Sequence, residues 1–116
     1  MDVYYNNELL NSKESCALKY DSNVGFNIIE CSNGLAIIVG YFNVNTNGNV
    51  GTYEKDITYP FKFDGIPALS LSVLDHDCTV YAVSQGIWGF GISLNLKKRS
   101  SSASVIVDYF TIGKRA

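Results

Sequence analysis

Gly89-Phe90-Gly91-Ile92-Ser93-Leu94-Asn95-Leu96 and, further on, Ser104-Val105-Ile106-Val107-Asp108-Tyr109-Phe110-Thr111-Ile112-Gly113 decide how this chain folds. In the first stretch Phe90, Ile92, Leu94 and Leu96 fall on one side, and Gly89, Gly91, Ser93 and Asn95 on the other. Such alternation marks a strand with one face buried and one face wet, the usual state in antiparallel sheets. Residues 67–74 repeat it. The second stretch differs: Val105, Val107 and Tyr109 alternate with Ile106, Phe110 and Ile112, so neither side is polar. A strand apolar on both sides needs two apolar surfaces. In a chain of 116 residues the second is expected to come from a neighbouring subunit. Residues 35–44, nearly all apolar and β-branched, carry the same implication.

Outward from these strands the β pattern begins at Phe26. Residues 26–30 lead to the turn Ser32-Asn33-Gly34, an Asn-Gly hairpin signal. After 35–44 comes a Gly/Asn tip over 45–51, then a return strand over 53–63. Pro60 inside that strand predicts an edge position or a bend. Asp75-His76-Asp77 forms a turn into 78–83, and Ser84-Gln85-Gly86 leads past Ile87 and Trp88 into 89–96. About six to seven short strands at this spacing, with no convincing helix, predict an all-β fold, an antiparallel β-sandwich. Residues 1–24 lack periodicity and are expected to be an irregular lead-in, with one or two helical turns within 8–18 as an alternative. Residues 25–116 are then the sandwich domain.

The composition is that of one folded domain: 47% apolar and 17% charged residues exclude disorder. A net charge of -2 argues against nucleic acid as a partner. Charge is uneven, with three lysines and seven acidic residues up to Pro60 and six basic and four acidic beyond it. Lys97-Lys98-Arg99 and Lys114-Arg115 supply most of the late excess and read as solvated tips. Cys16, Cys31 and Cys78 show no CxxC spacing. Their odd number suggests thiols acting as small apolar fillers in a chain made in a reducing cytoplasm. Residues 1–25 carry six charged side chains and no apolar run, so export by the general route and membrane insertion are not expected.

Chemistry is sparse. Asp75-His76-Asp77 invites a metal or acid–base reading. Adjacent side chains on a strand or turn diverge, however, and there is no second histidine to complete a site. No serine or cysteine stands in a nucleophile elbow, and Gly86, Gly89 and Gly91 precede a strand instead of the helix a phosphate loop needs. The expectation is no catalytic residue, no metal and no cofactor. Trp88, the single tryptophan, has two readings: packing in a core or interface, or a stacking surface for a sugar ring. Tyr53 and Tyr81 share that ambiguity, and Lys97-Lys98-Arg99 would suit an anionic sugar or phosphate.

The order of motifs then adds a resemblance. It runs Asn33-Gly34-Leu35-Ala36-Ile37 with Gly40, next Tyr59-Pro60-Phe61-Lys62-Phe63 with Pro67, then Gly89-Phe90, and finally Tyr109-Phe110-Thr111-Ile112-Gly113. That set resembles the C-terminal domain of bacteriophage tail fibres, a small sandwich related to the H-type lectins that assembles as a trimer. Tyr109 stands where many members carry tryptophan, and residues 1–32 fall outside the likeness. The resemblance implies a receptor-binding domain on a virion tail fibre, made in the host cytoplasm and continuous with an upstream fibre segment. It would attach without turnover to a bacterial surface polysaccharide or other host receptor. A homotrimer would place Ile37, Val39, Val105, Val107, Tyr109 and Phe110 at its interface. Ligand contacts would come from Trp88, Asp75, His76, Asp77 and Arg99 on the loops and from Tyr81 on the strand 78–83. The alternative is a purely structural trimerisation or capping domain. An exposed aromatic beside polar partners would favour recognition, and a tryptophan buried on the threefold axis would favour the structural role.

Overall fold

Side chains that alternate in the sequence also alternate in burial: Ile38, Phe42 and Val44 are buried, while Val39 and Tyr41 between them are exposed. The computed structural model describes residues 4–5, 8–9, 15–21, 26–74 and 77–116. Its strands are β1 (Tyr4–Tyr5), β2 (Glu8–Leu9), β3 (Cys16–Asp21), β4 (Phe26–Cys31), β5 (Leu35–Asn45), β6 (Gly51–Thr58), β7 (Ala68–Val73), β8 (Cys78–Gln85), β9 (Gly89–Leu96) and β10 (Ser104–Lys114). β1 and β2 pair with each other. The other eight form two antiparallel sheets, a five-stranded one ordered β3-β4-β5-β10-β7 and a three-stranded one ordered β6-β9-β8. No helix occurs among the described residues. The all-β sandwich is as expected, with one strand more than the sequence pattern suggested.

The core lies between the inner faces. From the five-stranded sheet come Ala36, Ile38, Phe42 and Val44 of β5 and Val105, Val107 and Tyr109 of β10. From the other come Phe90, Ile92, Leu94 and Leu96 of β9, and Tyr59, Phe61 and Phe63 close one end. Phe90 sits at the junction, its ring 6.1 Å from Phe42, 5.7 Å from Tyr59 and 5.3 Å from Tyr109. These are tilted or edge-on separations, which the ring quadrupole favours. β6 and β7 are edge strands. β6 stops at Thr58, so Pro60 falls just beyond it, where a missing N–H interrupts no ladder.

Four expectations change. First, the residues expected together at a subunit interface divide between the two faces of the sheet. Val105, Val107 and Tyr109 are buried against the chain's own second sheet, so of the six residues expected between subunits only Val39, Phe110 and the half-buried Ile37 lie on the outer side. That side is mixed: Tyr41, Ile106 and Phe110, 56%, 55% and 41% exposed, stand among Asn43 and Asn45 of β5 and Ser70 and Ser72 of β7. On β10 it carries Ser104, Asp108 and Lys114, while Thr111 turns inward and donates its hydroxyl proton to the Ala68 carbonyl at 2.8 Å. Second, part of the supposed lead-in is a strand: β3 pairs with β4 over Cys16–Cys31 to Asp21–Phe26. Third, that register makes Cys16 and Cys31 direct partners with Cα atoms 3.9 Å apart, and they form a disulfide. Only Cys78 keeps the buried filler role. Fourth, Arg115 is no solvated tip, since it pairs with Glu30 and lies 4.3 Å over the Phe61 ring.

Two core tyrosines make stability sensitive to alkali. Tyr59 is raised above its ordinary 10.0 by burial, which the Thr111 hydroxyl partly offsets. Tyr109 is raised by burial and, second, by repulsion from a Tyr59 phenolate. Near pH 10 the unfolded chain releases these protons while the folded chain holds them. Their contribution is therefore whole below pH 10 and is lost as the pH climbs through the higher folded-state values. Urea unfolding between pH 9 and 11.5 is expected to show stability falling by up to about 1.4 kcal/mol per pH unit for each tyrosine, a slope that Tyr59→Phe reduces.

Candidate functional site

The ladder sorts the loops by end. Gly51 and Cys78 both pair with Leu96, and Ser104 pairs with Asn45, so loops 46–50 and 97–103 share one end with Asp77. There Thr46 and Asn47 donate backbone N–H bonds to the Ala103 carbonyl, and Lys97 donates to that of Asp77. Gly48 has φ +75°, and a Cβ on it would lie 2.1 Å from the Ser100 carbonyl oxygen. Only glycine permits that close approach of two loops. Trp88 precedes β9 and Arg99 follows it, so the two occupy opposite ends. Tyr81, opposite Ser93 on β8, lies exposed between them on the outer face of the three-stranded sheet. Asp77 is on the Arg99 end, while Asp75 and His76 lie outside the described residues. The six residues expected to bind ligand therefore do not form one site.

Trp88 does have a site around it. The Gly86 N–H donates to the Gly89 carbonyl at 2.9 Å, which folds 86–89 into a turn, and the Tyr59 N–H holds the Trp88 carbonyl at 2.7 Å. The indole residue is thus pinned by its backbone, yet it is 58% exposed. It borders a groove of about 480 Å³ whose lining includes Gly89, Asp56, Thr58, Ser84 and Gln85. The groove is shallow and open to solvent. Gly91 lies close beneath, and the strand pairing sets the polar rim: Asp56 on β6 and Ser84 on β8 both face Gly91 on the central strand. The β8 register shifts between Ala82 and Ser84, and this bulge helps to aim the serine. A Cβ on Gly91 would lie 2.7 Å from an Asp56 carboxylate oxygen and 2.7 Å from the Ser84 hydroxyl. Both oxygens therefore close over Gly91, which is buried beneath them, a packing that only glycine allows.

A flat aromatic next to a carboxylate, a hydroxyl and an amide can cover an apolar ring face while accepting and donating hydrogen bonds at its edge. Sequence reasoning found Trp88 and the loop 84–88 but missed Asp56 and Thr58. These residues sit on a strand, and nothing local shows that Asp56 stands opposite Gly91.

Two solved structures have this arrangement of strands. One is a Pseudomonas aeruginosa R1 pyocin fibre, as a fragment comprising its C-terminal residues, with TM-score 0.58 and 16% identity. The other is an N-truncated R1-type pyocin tail fibre, with the same TM-score and identity. The fold resembles that of a tail fibre. Both matches cover 84% of this chain; the chain spans 28% of the first structure and 84% of the second. No protein-family model matches the chain, and no curated protein does. At 16% identity the tail-fibre likeness is one of fold.

Proposed function

We propose that this chain is a tail-fibre domain that attaches, without turnover, to a carbohydrate on a bacterial surface. Its place would be the fibre of a virion or of a tail-like particle. The observation that carries the reading is Trp88: fixed by backbone hydrogen bonds, more than half exposed, and set beside a groove edged by Asp56, Ser84 and Gln85. A structural cap has no need of an exposed indole, because exposing so large an aromatic is unfavourable. The tail-fibre fold supplies the context.

The assembly belongs to the same proposal. The outer face of the five-stranded sheet exposes Val39, Tyr41, Ile106 and Phe110, with Asp108 and Asn43 set among them, and large exposed apolar side chains gathered on one face mark an interaction surface. Sister copies in a closed trimer would cover it without leaving a further adhesive face. Three identical grooves on one particle would raise the effective affinity of a weak site by roughly 10²–10⁴.

A glycan array on the assembled protein tests the reading. Wild type is expected to retain on a subset of glycans, and Trp88→Ala to lose that retention at unchanged mass by light scattering. Equal retention by Trp88→Ala would remove the groove from the function and favour a capping role.

A further inference from the structure

Among the described residues, Asp56 is the only charged side chain lining the groove. Its neighbours in the sequence do not neutralise it. Lys55 alternates to the opposite face of β6, where its ammonium donates to the Asn43 carbonyl at 2.6 Å. Of the described cations at this end of the sandwich, Arg115 is paired with Glu30, and neither Lys62 nor Lys114 lines the groove. The basic run Lys97-Lys98-Arg99 begins beyond the far end of β9, eight residues or about 25 Å away. Charges that far apart across solvent are screened, the Debye length being about 8 Å at physiological ionic strength. The groove thus presents a lone negative charge, an adjacent hydroxyl oxygen and an indole.

Resting on the carbohydrate reading above, we infer that the groove takes an uncharged pyranose and rejects its anionic counterpart. The Asp56 carboxylate accepts hydrogen bonds from ring hydroxyls, a charge-assisted contact stronger than a neutral one. Ser84, leaning over the same glycine, completes the pair for a neighbouring hydroxyl, and Trp88 offers its face to the C–H side of the ring. A uronic acid brings a second carboxylate into a site with no cation among the described residues to receive it, so like charges set the selectivity. The basic run at the other end, which the sequence suggested for anionic sugars, is not part of this groove.

Trp88 is the chain's single tryptophan, so its emission reports on this groove. The test titrates the whole protein with methyl galactoside, glucoside and mannoside, and with the matching galacturonate, glucuronate and mannuronate. At least one neutral sugar is expected to shift the emission at about tenfold lower concentration than its uronate. Asp56→Asn is expected to narrow that ratio to about threefold or less by removing the repulsion. Gly91→Ala, which displaces both oxygens, is expected to weaken the neutral sugar. A uronate that acts at equal or lower concentration, or a ratio unchanged in Asp56→Asn, overturns the charge selectivity and leaves the carbohydrate reading standing. If no saccharide moves the emission, the groove is not a sugar site and both readings fall.

Discussion

Phe110→Glu is expected to run as a 12.8 kDa monomer under conditions where the wild-type chain has three times that mass. Phe110 is half-exposed on the outer face of the five-stranded sheet, opposite Val39 on β5 and Ser70 on β7. Because the side chain is outside the core, the substitution should leave the sandwich folded, with an unchanged far-UV spectrum. Within an assembly, burying that ring would contribute about 1.5–3 kcal/mol per copy, and an unpaired carboxylate there costs more than the whole of that gain. Multi-angle light scattering reads the result. A wild-type chain that is already monomeric at micromolar concentration would end the trimer proposal.

Phe90→Ala acts on the opposite side of the same architecture. The ring is 4% exposed and contacts aromatic rings from β5, β10 and the segment after β6. Truncation should cost about 3–5 kcal/mol, the range for a large aromatic cut from a packed core. Against a total stability of ~5–15 kcal/mol, that is enough to shift the urea midpoint by molar amounts without changing the slope. Trp88→Ala, at an exposed position, should move the midpoint little. The pair of variants separates what holds the sandwich together from what it displays. Phe90 carries stability and Trp88 does not.

Much of the fold was legible because period two is a local property. The alternation of residues 89–96 located β9 and the side that joins the core, and Pro60 marked the end of an edge strand; the face expected to be wet is not, since Gly91 and Ser93 are buried beneath side chains of the flanking strands. What failed were properties of register. Cys16 and Cys31 look like unrelated thiols until β3 and β4 are aligned residue by residue, and Asp56 looks like a solvated strand residue until it faces Gly91. The two-sided apolar pattern of β10 was read correctly as chemistry. Its division was not legible, because nothing local says that Tyr109 turns toward Phe90 while Phe110 turns away. Likewise Arg115 and Glu30 are 85 residues apart, and only the closure of the sheet brings them together.

The way β10 finishes has a practical consequence. Phe63 bridges to Arg115, the Ala116 N–H donates to the Lys62 carbonyl, and the Phe63 N–H donates to that of Ile87. Residue 116 is therefore held on the same rim of the molecule as the lone indole. A surface coupling placed there would crowd the groove, so immobilisation for adhesion assays belongs at the opposite rim. An acceptor dye at that position, conversely, would sit within resonance-transfer range of Trp88 and give an optical gauge of occupancy in the assembled particle.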